Sequence, residues 1–118
     1  MEFQNGKSIF LQIADTITDK VMSGEFPAGE KIPSVRELAS EMGVNPNTIM
    51  RTYSELQTMD IIKNQRGIGY FVNSDAPNII LKGKKEDFFN KLLPEFLRQA
   101  TLLGITANEL KKHLEKLK

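Results

Sequence analysis

The chain has 118 residues, is 40% hydrophobic and 26% charged, contains no cysteine and carries a formal net charge of +1. That length buries one modest core and leaves room for an appendage rather than a second independent domain. The missing cysteines remove disulfides and thiolate metal sites, no run approaches the roughly 18 apolar residues of a membrane span, and the amino terminus lacks a secretory signal pattern. A cytoplasmic protein with no cofactor and no metal is expected.

The first periodic segment is Ser8 to Met22, where Phe10, Ile13, Ala14, Ile17 and Val21 recur at helical spacing opposite Asp15, Thr18, Asp19 and Lys20. Ser23 to Glu30 supplies a Gly, Pro, Gly loop of defined shape. Ser34-Val35-Arg36-Glu37 is a capping box that opens a second helix with Leu38, Ala39 and Met42 inward, and Gly43 ends it. Asn45 followed by Pro46 begins a third helix that runs to about Thr58 with Ile49, Tyr53 and Leu56 on its buried side. Ile61-Ile62-Lys63 and Tyr70-Phe71-Val72 then read as strands of a hairpin around the polar, glycine-containing connector 64–69.

Asn73 to Asn78 reads as a linker, and the remainder as helical. Phe88, Phe89, Leu92, Leu93, Phe96, Leu97, Ala100 and Leu103 form a broad apolar stripe, with Pro94 inside it predicting a kink or break near Lys91 to Leu93. Gly104 stops this segment, and the capping box Thr106 to Glu109 starts a short terminal helix bearing Leu110, Leu114 and Leu117. The expected fold is mainly α with a small β-hairpin: a winged helix-turn-helix over 1–77 and a two-helix tail over 78–118. The stripe is too wide for a lone surface helix, so Phe88, Phe89, Leu92, Leu93, Phe96, Leu97, Leu103, Leu110 and Leu114 are the candidate homodimer surface.

Three helices followed by a hairpin is the element order of a winged helix, an architecture in which the third helix enters a DNA major groove and the hairpin lies along the backbone or minor groove. With Ile49, Tyr53 and Leu56 inward, the opposite face carries Asn47, Arg51, Ser54 and Thr58, with Thr48 at its margin. These are residue types that read base edges or grip phosphates. Arg36 lies in the first turn of the second helix, where free N–H groups attract an anion, and Arg66 with Gly67 stands at the hairpin tip. Bulk charge opposes this reading: residues 1–78 hold seven Lys/Arg against ten Asp/Glu, a balance of −3, while residues 79–118 hold nine against five, a balance of +4. Binding has to rest on a few placed cations. A winged-helix protein-interaction module without DNA binding stays open on the same facts.

The runs Phe10-Leu11-Gln12-Ile13-Ala14, Gly24 to Ala39, Gly43 to Tyr53 and Arg66 to Val72 closely resemble the DNA-binding domain of the GntR family of bacterial regulators. The short helical tail resembles the YtrA branch, whose tails dimerise. The resemblance implies DNA contacts from the positions of Arg36, Asn45, Thr48, Arg66 and Gly67. Many family members carry arginines where this chain has Pro46 and Met50, and the YtrA-like pattern implies that Asn47 and Arg51 replace them. The candidate DNA-binding set is Ser34, Arg36, Asn45, Asn47, Thr48, Arg51, Arg66 and Gly67. The function so implied is transcription regulation, as a repressor bound to a palindromic operator as a homodimer.

An enzyme finds little support, since His113 is the only histidine and lies on a lysine-rich helix. A small-molecule effector is not expected, because no polar groups converge between the tail helices, though a sensor role stays open.

Overall fold

The computed structural model describes residues 8–118. Helix α1 (Ile9–Met22) starts where the Ser8 hydroxyl accepts the Leu11 N–H, and buries Ile13, Ile17 and Val21. Helix α2 (Val35–Met42) starts on the expected capping box: the Glu37 N–H donates to the Ser34 hydroxyl at 3.1 Å, and the Ser34 N–H donates back to the Glu37 carboxylate at 3.0 Å. Its last turn closes when the Val44 N–H reaches the Ala39 carbonyl, with Gly43 in the left-handed region. Helix α3 (Pro46–Thr58) starts on Asn45, whose side-chain oxygen accepts the Asn47 N–H at 2.8 Å. It ends in the same hydrogen-bonded way, the Ile61 N–H reaching Leu56 and Asp60 taking the left-handed position at φ 62°. Asp60 is the one non-glycine with positive φ among the described residues.

Helix α3 packs against α1, α2 and the strand that follows it. Its Ile49, Tyr53 and Leu56 are buried with Ile13, Ile17, Leu38 and Ala39, as the helical spacing requires. The Tyr53 phenol donates to the Pro33 carbonyl at 2.7 Å, and its ring meets Tyr70 edge-on at 4.8 Å. One side chain thus ties α3 to the segment entering α2 and to the hairpin.

The hairpin pairs β1 (Ile62–Gln65) with β2 (Gly69–Val72), antiparallel, from Ile62 opposite Val72 to Gln65 opposite Gly69. The turn is therefore Arg66-Gly67-Ile68, shorter than the connector expected from sequence. The loop before α2 also contributes to the sheet. Gly29 and Val72, Val72 and Glu30, and Ile32 and Tyr70 are joined by backbone hydrogen bonds, and Lys31 bridges Phe71. The second edge of β2 is covered in this way.

The expected linker at 73–78 is corrected: helix α4 (Ala76–Asp87) begins inside it. Proline is tolerated in a first turn, where its missing N–H is no loss. Ala76 and Ile80, one turn apart, are buried in the same core as Ile61 and Val72. The first compact unit accordingly extends through Leu81, and the second is Lys82–Lys118.

In the second unit, helical residues run on without a break through Phe88–Leu92, a π-helical turn in which the Leu93 N–H reaches the Phe88 carbonyl. Helix α5 (Leu93–Leu102) follows, then Gly104 at φ 70° and α6 (Ala107–Leu114), opened by the Thr106 and Glu109 capping box. The wider turn is how the chain accommodates Pro94, whose ring would crowd the carbonyl four residues back in an α-helix. Ala100 is buried, Leu93, Ile105 and Leu110 are half-buried, and the rest of the stripe is open. No helix among the described residues is long and apolar enough to cross a membrane.

Candidate nucleic-acid interface

Two of the candidate residues do structural work first. Ser34 and Asn45 spend their side-chain oxygens capping α2 and α3, accepting the Glu37 and Asn47 N–H groups. Arg36 follows in the first turn of α2, exposed, and lines a shallow depression with Ser40, Gly43 and Pro46, at the step from one helix to the next. Asn47, Thr48 and Arg51 come together in a second depression that also includes Ser8 and Phe10. Asn47 and Arg51 are exposed one turn apart, and Thr48 is half-buried beside them. The Arg51 guanidinium carbon sits 4.2 Å from the centroid of the Phe10 ring.

Arg66 and Gly67 line neither depression and form the hairpin tip. The Ile68 N–H bonds back to Gln65, and Gly67 has φ 80°. With Arg66 at negative φ, this is the type II turn, which calls for glycine at its third position. Neither Arg36 nor Arg66 has a carboxylate within 4.0 Å among the described residues, so both guanidinium groups are available to an anion.

Two of the acidic side chains are held by partners within the fold. Glu25 pairs with Lys20 at 2.9 Å, and Glu37 is folded back onto its own helix start. The Ser34 backbone N–H, then its hydroxyl, hold the Glu37 carboxyl below the usual carboxylate range, with the charge of Lys31 adding to this.

Sequence reasoning missed two residues here. The Lys31 side chain reaches the turn end of the hairpin: its Cε is 2.8 Å and its Nζ 3.5 Å from where a Cβ on Gly69 would stand. The hint was the second glycine of the connector, which leaves space for another chain to approach. Phe10 was read as part of the apolar face of the first helix, and it is half-buried with Arg51 over its ring.

The geometry defines a winged helix-turn-helix, with α3 as its third helix and the hairpin as the wing. A model of bacterial regulatory proteins of the gntR family matches residues 10–72, and the chain belongs to that family. The uncharacterized HTH-type transcriptional regulator YhcF of Bacillus subtilis (strain 168) is 41% identical over 92% of this chain and 88% of its own length. The HTH-type transcriptional repressor YtrA of the same organism is 29% identical over 92% of this chain and 83% of its own. Among solved structures, a GntR-family transcriptional regulator from Bacteroides thetaiotaomicron has a TM-score of 0.81 at 42% identity, covering 92% of this chain and 95% of that one. The DNA-binding domain of AraR in complex with operator ORX1 has a TM-score of 0.53 at 26% identity, covering 60% of this chain and 92% of that one. The protein is a DNA-binding transcriptional regulator.

Proposed function

We propose that the protein is a repressor that binds a palindromic operator as a homodimer in the bacterial cytoplasm and has no enzymatic activity. In this reading Arg36 and the wing tip, Arg66 with Gly67, grip phosphates, while Asn47, Thr48 and Arg51 face base edges. Ser34 and Asn45 cap the two helix starts and so hold Arg36 and Asn47 in place against the DNA. The observation that carries it is the open α3 face, with Asn47 and Arg51 exposed one turn apart while Ile49 and Tyr53 are buried. Separate Arg36→Ala, Arg51→Ala and Arg66→Ala variants are expected to bind operator more weakly, each lost phosphate contact reducing the salt slope by about one. Binding unchanged in all three returns the reading to a protein-interaction module.

Dimerisation is supported by the open stripe of the second unit. Phe88, Phe89, Leu92, Phe96 and Leu97 are 46%, 61%, 60%, 46% and 51% exposed, and Leu103 and Leu114 are exposed as well. Leu93 and Leu110 are half-buried beside them in sequence. Contiguous apolar surface of this kind marks an interaction site, and two-fold symmetry would match a palindrome. Sedimentation of the wild type and of Phe96→Glu tests it: a dimer and a weakened dimer are expected, and a monomeric wild type at micromolar concentration refutes it.

A further inference from the structure

We propose that Phe10 is a positioning residue for Arg51, its ring holding the guanidinium in place over the exposed face of α3 before DNA arrives. The inference rests on the reading of Arg51 as a DNA contact. The separation of 4.2 Å lies well within the roughly 6 Å over which a ring face attracts a cation. Phe10 is itself fixed: it occupies the first turn of α1, which Ser8 caps, and it is half-buried. Arg51 is exposed, and an arginine on an open helix face otherwise samples many rotamers that binding must freeze. A ring face occupies none of the five guanidinium N–H donors, so the side chain is oriented without being spent. Asn47 and Thr48 line the same depression, so the oriented group is arginine beside the two other candidate readers on α3. A lysine at position 51 offers neither the planar fork nor the weak hydration that favour stacking.

The experiment uses the full chain and a DNA duplex that the wild type enriches from a random pool, with affinity and its salt dependence measured for Phe10→Leu, Phe10→Tyr, Arg51→Ala and Phe10→Leu/Arg51→Ala. Leucine keeps apolar bulk without a ring face, and tyrosine keeps the ring. Thermal unfolding at or near the wild-type midpoint shows that each variant is folded. Phe10→Leu is expected to weaken binding about two- to five-fold, the range of an exposed cation–ring contact. Phe10→Tyr is expected to restore it, and in the Arg51→Ala background the Phe10→Leu change is expected to cost nothing further. An equal loss in that background, or wild-type affinity in Phe10→Leu, overturns the proposal. Arg51→Ala with unchanged affinity and salt slope refutes the reading of Arg51 itself and is seen independently of any Phe10 variant.

Discussion

Replacing Tyr53 with phenylalanine keeps the buried ring and its edge contact with Tyr70 but deletes the hydroxyl that donates to the Pro33 carbonyl at 2.7 Å. A buried hydrogen bond of this kind is worth about 1 kcal/mol net. Near neutral pH the variant is expected to lose that much stability, which corresponds to about 4–8 °C in Tm for a unit of 60–100 residues. The pH dependence supplies the sharper test. Burial first, then the nearby Tyr70, Glu37 and Glu41, raise the Tyr53 phenol well above its ordinary value. A folded-state value above the unfolded one, which lies near 10, means that the stabilising contribution is complete below about pH 10 and is lost as pH rises beyond it. The wild type then loses up to about 1.4 kcal/mol per pH unit that Tyr53→Phe does not lose. The two stability curves should approach above pH 10 and meet near pH 11. Other tyrosine and lysine titrations are common to both proteins and drop out of the difference. Urea unfolding from pH 7 to 11 measures this; parallel curves, or a Tm within about 1 °C at pH 7, refute the reasoning.

Ser34→Ala removes the α2 cap and should cost about 1 kcal/mol, while carboxyl-detected titration shows the Glu37 pKa moving up towards the ordinary range. Because that carboxyl is depressed in the fold, its contribution is present at neutral pH and fades as pH falls through the folded value. Gly69→Ala places a Cβ 2.8 Å from the Lys31 Cε at a φ of 139°, a backbone region costly for any other residue. A loss of about 1–3 kcal/mol is expected, with the Lys31 side chain displaced from the turn end of the wing. Lys31→Ala should leave stability nearly unchanged but make operator binding less salt-dependent by about one unit of slope, which titration at several salt concentrations reads. Asp60→Ala should destabilise by about 1 kcal/mol and Asp60→Gly by much less, since the position needs a left-handed residue; chemical denaturation of the pair separates the two.

The helix starts were legible because each is written in a few adjacent residues. Ser34 with Glu37, Asn45 with Pro46, and Thr106 with Glu109 all cap as their spacing requires. Burial of Ile49, Tyr53 and Leu56 followed from the helical period alone. What local pattern does not contain is pairing across distance. The strand-like docking of 29–32 on β2 is encoded only by what Tyr70 and Val72 leave open, so it read as a loop. The same applies to α4: Pro77 and the surrounding Asn and Asp residues look like a linker until Ala76 and Ile80 meet the core. The stacking of Phe10 on Arg51 joins residues 41 positions apart, which no window along the chain brings together.

The π-helical turn ahead of Pro94 has a geometric consequence for the apolar stripe. In an α-helix, residues four apart advance by about 400°, so a row such as Phe88, Leu92, Phe96 winds round the axis by about 40° at each step. A turn closed by the Leu93 N–H on Phe88 holds more residues than an α turn, so each residue in it rotates less and part of the winding is taken back. The three side chains thereby wind less far round the axis than an uninterrupted α-helix would carry them. A proline that looks like a flaw in the helix thus goes with a turn that brings the apolar row closer to a line.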